Sequence, residues 1–227
     1  MPDIDPASIT SINSIEELYE EIRQDSKAPS FALQYKGTWT TLMNNCGFSA
    51  HEAKTIEKRY HALYKVSDQW LDTHIENAKT LGYIPLAFGG RIRTPILSQT
   101  SGRMSYAAEA EARSAGNAAT QSYCFLTIRA FNEFMRRVWR SKYRFKILPT
   151  GTIHDAIYLL VVEDVAVVKW VNDNLIDCMS WQELPELKHP TIKMSSSIEI
   201  YYPSWAEKIK IPNHATESEI EDICQAA

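Results

Sequence analysis

The longest apolar run in this 227-residue chain, Ala156 to Val162, is far too short to cross a bilayer. The opening residues, Met-Pro-Asp-Ile-Asp-Pro-Ala-Ser, lack both the basic start and the apolar middle of a secretion signal. Four cysteines, Cys46, Cys124, Cys178 and Cys224, stand far apart, with no close pair to suggest a zinc site or a redox dithiol. An excess of positive charge is also missing. The formal net charge is −4, which argues against a freestanding basic nucleic-acid module. Internal repeats and low-complexity segments are absent as well. These absences lead us to expect a soluble protein of a reducing cytoplasm, with no membrane partner.

What remains is ordinary globular composition. With 44% hydrophobic residues the chain can build a real core, in one large domain or two small ones. Charge is segregated despite the acidic total: residues 129–146 hold seven cations and one acid. Such a cluster suits a phosphate backbone, and equally a solvated face joining a helix to a strand.

The stretch Arg23-Gln-Asp-Ser-Lys27-Ala-Pro-Ser-Phe31-Ala-Leu-Gln-Tyr35-Lys-Gly37 is the most informative. Steps of four carry Arg, Lys, Phe and Tyr in turn, which on a helix aligns all four side chains along one slowly drifting face. Guanidinium and ammonium one turn apart suit neighbouring phosphates. The two rings beyond them suit a sugar or base. The face therefore describes a nucleoside triphosphate lying lengthwise. The plainer alternative is an amphipathic helix with Phe31 and Tyr35 in a core and both cations in water. Pro29 lies inside the stretch, so the helix either restarts near Ser26 or bends there. Gly37 lets the chain leave it.

Around that stretch, residues 1–14 read as a flexible lead-in. A helix begins at Ile15 behind Ser14 and Glu17, and another follows the capping box Ser49-Ala-His-Glu52. Ser67 caps a third, which Gly82 stops. Gly89-Gly-Arg-Ile-Arg93 reads as a tight turn presenting cations. Ser105 to Val138 reads as one long helix, on which Arg113, Asn117 and Gln121 again step by four. Two strands follow, with His154-Asp155 at or near their reversal. Asp164 caps a helix running to Met179, Ile192 to Tyr202 forms a final strand, and residues 213–227 form a mobile polar tail. An Asp at a strand reversal makes a good oxygen ligand for magnesium, though such residues more often bond their own backbone.

Taken together, these residues resemble family A DNA polymerases, the DNA polymerase I-like group and its phage members in particular, over roughly residues 15–206. Arg23, Lys27, Phe31 and Tyr35-Lys-Gly37 match the fingers motif R-x3-K-x3-F-x3-Y-G, with Lys36 inserted before the glycine. Gly82-Tyr83 and Gly90-Arg91 resemble the hairpin after it. Arg113, Asn117 and Gln121 match the helix that touches template and primer. Ile153-His154-Asp155-Ala156 resembles Val/Ile-His-Asp-Glu, with Ala156 in place of the acid, and Trp205 resembles the family's C-terminal tryptophan.

The resemblance implies an α+β fold: a helical fingers subdomain at residues 15–100, followed at 101–212 by the second half of a polymerase palm, antiparallel strands packed on helices. It implies that Arg23 and Lys27 hold the triphosphate of a dNTP, with Lys27 also protonating departing pyrophosphate. Phe31 would pack on sugar and base, and Tyr35 would guard the templating position. Asp155 would bind catalytic Mg2+, His154 would lie beside the primer terminus, and Arg113, Asn117 and Gln121 would hold primer-template DNA.

Nucleotidyl transfer of this kind uses two Mg2+ ions, more than one carboxylate can hold. The family's other Asp, in a motif resembling D-Y-S-x-x-E-x-R, stands on a palm strand well before the fingers lysine; here only 26 residues precede Lys27, and Asp3 and Asp5 sit in a proline-containing lead-in with no apolar strand around them. The expected function is the C-terminal subunit of a split DNA polymerase. An N-terminal partner fragment would carry the thumb, the first palm Asp and any exonuclease; if the chain is phage-encoded, the setting is the host cytoplasm. The alternative is a noncatalytic nucleic-acid-binding or regulatory remnant of the fold, with a metal-dependent nuclease a distant third.

Overall fold

Apolar residues recur every three or four positions through most of the first half of the chain, and the backbone there is helical. The computed structural model describes residues 4, 5, 8–100 and 105–226. It divides into two compact units, Met1–Ser122 and Tyr123–Ala227.

In the first unit, short helices α1 (Ile9–Asn13) and α2 (Ile15–Leu18) precede α3 (Glu20–Gln34), α4 (Trp39–Cys46), α5 (Ala50–Leu63) and α6 (Lys65–Leu81). The antiparallel pair β1 (Tyr83–Pro85) and β2 (Arg91–Arg93) leads through α7 (Pro95–Ser98) to α8 (Tyr106–Gln121). The lead-in thus contains a helical turn. Asp3 and residues 101–104, where the second domain was expected to start, lie outside the described residues.

Local chemistry explains most of these boundaries. Ser49 and Glu52 close the expected capping box on α5. Ser14 instead donates its hydroxyl to the Ser11 carbonyl at 2.8 Å. The helix expected behind Ser67 begins earlier, at Lys65, with Tyr64 as its non-helical junction. Gly82 ends it in the left-handed region at φ 74. Contrary to a restart near Ser26, α3 runs unbroken through Pro29. The proline ring, which lacks the N–H donor, is buried on the same side as Leu33.

Two cores hold this unit. Leu33, Leu42 and Ala53 join α3, α4 and α5, with Trp39, Phe48 and Tyr60 packed around them. Ala78, Ile84 and Leu97 meet a row of alanines on α8, Ala108, Ala112, Ala115 and Ala119. Small side chains let α8 approach closely: a Cβ on Gly116 would lie 3.1 Å from a Leu71 methyl.

The second unit contains α9 (Phe125–Arg140), the hairpin β3 (Ile147–Ile153) and β4 (Ala156–Val161), α10 (Val165–Met179), the pair β5 (Ile198–Tyr201) and β6 (Lys208–Ile211), and α11 (Glu217–Ala226). The expected single helix from Ser105 to Val138 is interrupted by a 3-10 turn at Ser122–Cys124. There the Ser122 hydroxyl donates to the Ala119 carbonyl at 2.6 Å and accepts the Ala87 N–H at 2.9 Å, local bonds that compete with the helical ladder.

One face of the hairpin supplies Ile147, Ile157, Leu159 and Val161 to a core with Phe134 of α9 and Val167 and Val171 of α10. The final strand is shorter than expected and pairs with β6. The tail is folded: Thr216 and Glu219 bond reciprocally at the start of α11, and Ile220 is buried beside Ile211 and Ala215.

Candidate functional site

Four-residue steps on α3 drift about 40° each and rise about 6 Å. Arg23, Lys27, Phe31 and Tyr35 therefore form a stripe about 18 Å long, opposite the buried pair Pro29 and Leu33. Arg23 is half-buried and Lys27 exposed. Among the described residues no acid pairs with Lys27. Phe31 is 55% exposed and Tyr35 40%, and their rings stack at 6.4 Å between centroids. These rings are not core residues, which removes the plainer reading of this helix.

The inserted Lys36 fits without breaking the helix. It takes the left-handed position at φ 61, its N–H donating to the Leu33 carbonyl at 3.0 Å, while the Gly37 N–H reaches the Ala32 carbonyl at 2.8 Å. That double closure satisfies the last carbonyls of α3. Gly37 is needed for proximity: a Cβ there would lie 2.5 Å from the Ala32 oxygen.

On α8, Arg113 and Gln121 are exposed and Asn117 is half-buried. The Asn117 Oδ1 atom is buried with no hydrogen-bond partner among the described residues. An orphaned acceptor of this sort costs about 1–3 kcal/mol unless a donor from outside reaches it.

In the second unit, Ile153 pairs with Ala156, so His154-Asp155 is the two-residue turn of the hairpin. His154 adopts φ 55, a strained conformation for a side-chain-bearing residue. Asp155 is exposed, and no described residue is bonded to its carboxylate. Ala156 leaves that carboxylate without an acidic neighbour in the turn. Among the described residues, no group of three or more His, Cys, Asp or Glu side chains is placed to hold a metal ion. An exposed carboxylate of this kind has the chemistry of one oxygen ligand for a hard divalent cation such as Mg2+.

Beside the turn, Tyr158 of β4 meets Trp205 at 5.4 Å, and Trp205 stacks on Tyr201 at 4.6 Å. At the open end of the hairpin, Lys146 donates to the Asp164 carboxylate at 2.7 Å and holds its pKa below the usual value. Sequence reasoning missed Tyr158 and the acids Asp68 and Asp72. The first is signalled by its position between Ile157 and Leu159, which face the core; the others are signalled by their four-residue spacing on α6.

An exposed cation-and-ring helix, a polar helix with an orphaned acceptor and an antiparallel hairpin turning at an aspartate compose an α+β fingers-and-palm portion of a polymerase. The family profile of DNA polymerase family A matches residues 5–207, and the chain belongs to that family. Among solved structures, it is similar to the POL domain of Pol1 from M. smegmatis in complex with DNA primer-template and dNTP. The TM-score is 0.63 at 21% sequence identity, covering 80% of this chain and 30% of that one. No curated protein matches the chain. No described helix is long and apolar enough to cross a membrane.

Proposed function

We propose that this chain is the C-terminal, fingers-and-palm component of a DNA-directed DNA polymerase whose active site is completed by a second polypeptide. The observation that carries this reading is the α3 face, where an exposed Lys27 and a stacked, exposed Phe31–Tyr35 pair stand in line. Arg23 and Lys27 bind the triphosphate of an incoming dNTP, the fork of the arginine and the point charge of the lysine dividing its phosphates. Lys27 is also the proton donor to departing pyrophosphate. Phe31 packs on the nucleoside and Tyr35 borders the template base. Arg113, Asn117, Gln121 and His154 contact primer-template DNA, which the similar M. smegmatis structure also holds.

Asp155 contributes one carboxylate to divalent-metal binding. Its isolation among the described residues supports a shared site, with further carboxylates coming from an N-terminal partner that also carries the thumb. The fingers span residues 15–100 and the palm half follows. Primer extension by the assembled enzyme tests the reading. Asp155→Ala should abolish extension while primer-template binding persists. Extension that survives this change refutes the metal role, and a wild-type assembly that binds DNA without extending it supports the noncatalytic remnant.

A further inference from the structure

The α3 face ends at a lysine whose placement backbone chemistry does not favour. Lys36 occupies the left-handed region at φ 61, where glycine or asparagine is the usual choice. The helix-ending hydrogen bonds there are made by backbone atoms and need no lysine side chain. The side chain does something else. Its ammonium lies 3.7 Å from Asp68 Oδ1 and 3.6 Å from Asp72 Oδ1, and only a quarter of the side chain is exposed, 25%.

Asp68 and Asp72 stand one turn apart on α6, a spacing at which two carboxylates repel. A cation between them relieves that repulsion. The other oxygen of Asp68 bonds His61 Nδ1 at 2.7 Å, so the carboxylate is also tied to α5. One ammonium therefore joins the last turn of α3 to α6. Tyr35, whose ring stacks on Phe31, immediately precedes it, and the tight approach of Gly37 to Ala32 restricts the chain on the other side.

We propose that Lys36 is a positioning residue. It latches the C-terminal turn of α3 to Asp68 and Asp72 and so fixes the direction in which Tyr35 and Phe31 face a bound nucleotide. The proposal rests on the reading of α3 as the nucleotide face.

Amide hydrogen exchange on the full chain tests the latch directly. Lys36→Met keeps the stem and the left-handed backbone but removes the charge. Exchange at Tyr35 and Gly37 should become about two- to fivefold faster, the range expected for partly exposed ion pairs. The difference should shrink at about 1 M salt, and Lys36→Arg should preserve the wild-type rate. Unchanged exchange in Lys36→Met overturns the latch and leaves Lys36 a simple helix end.

The assembled enzyme tests the positioning. Lys36→Met should raise KM for dNTP about two- to fivefold with kcat held. Faster exchange with unchanged KM overturns the positioning role. Lys27→Ala separates the two levels: if it leaves nucleotide binding intact, the nucleotide face itself is refuted. If Lys27→Ala weakens binding and Lys36→Met moves neither exchange nor KM, only the latch falls.

Discussion

Phe31 and Tyr35 lie one helical turn apart with their ring planes 13° from parallel, both open to solvent. Burying a phenylalanine side chain yields about 1.5–3 kcal/mol, so a helix that leaves both rings outside forgoes that gain. The nucleotide contact proposed above would bury them. At Phe31 the ring carries no hydroxyl, and Phe31→Tyr should relax discrimination against nucleotides lacking a 3′ hydroxyl, by about tenfold if one hydrogen bond is supplied. Dideoxynucleotide incorporation by the assembled enzyme measures it, and an unchanged ratio counts against the placement of Phe31.

Asn117 makes a different kind of prediction, because its Oδ1 has no partner among the described residues to lose. Asn117→Ala should hold or raise the melting temperature while weakening primer-template binding about three- to tenfold. Fluorescence anisotropy with labelled DNA, beside a thermal melt, separates the two. A lower melting temperature with unaltered DNA affinity would assign Asn117 to the scaffold alone.

Gly37→Ala should destabilise the first unit by about 1–3 kcal/mol, since the new methyl meets the Ala32 carbonyl at 2.5 Å and the helix end must shift. Urea unfolding checks this. A variant as stable as wild type would mean that the close turn after Lys36 yields easily.

Asp164 offers a test by pH. Its carboxylate caps α10 through the N–H groups of Ala166 and Val167, and Lys146, bonded at 2.7 Å, is the main cause of its lowered pKa. A lowered value contributes stability above the ordinary carboxylate pKa of about 4, and that contribution is lost as pH falls through the folded value. Asp164→Asn keeps a cap but loses the ion pair. Wild type should exceed the variant in melting temperature near neutral pH, and the gap should close in acid. A gap of constant size would contradict the pairing.

Local patterns in the sequence were enough to place the helix of Arg23, Lys27, Phe31 and Tyr35, the box of Ser49 and Glu52, the cap at Asp164 and the turn at His154-Asp155. Each depends on residues within a few positions of one another. Which way α3 faces was not legible, because apolar rings at helical spacing suit a core and a ligand equally well. The helix break at Ser122 depends on Ala87, far away in sequence, and so was invisible to periodicity. Folding of the tail was missed although Thr216 and Glu219 carry a capping signature, because its polarity outweighed a few apolar anchors, Ala215, Ile220 and Ile223. The role of Lys36 needed the opposing pair Asp68 and Asp72, which only the tertiary structure brings to it.

Primer extension by this chain alone, beside the same chain mixed with an N-terminal polymerase fragment bearing the proposed companion carboxylate, tests the central claim most directly. With primer-template, Mg2+ and dNTPs present, the account predicts extension only in the mixture. Extension by the isolated chain would contradict it, showing that Asp155 finds its companion carboxylates within these 227 residues.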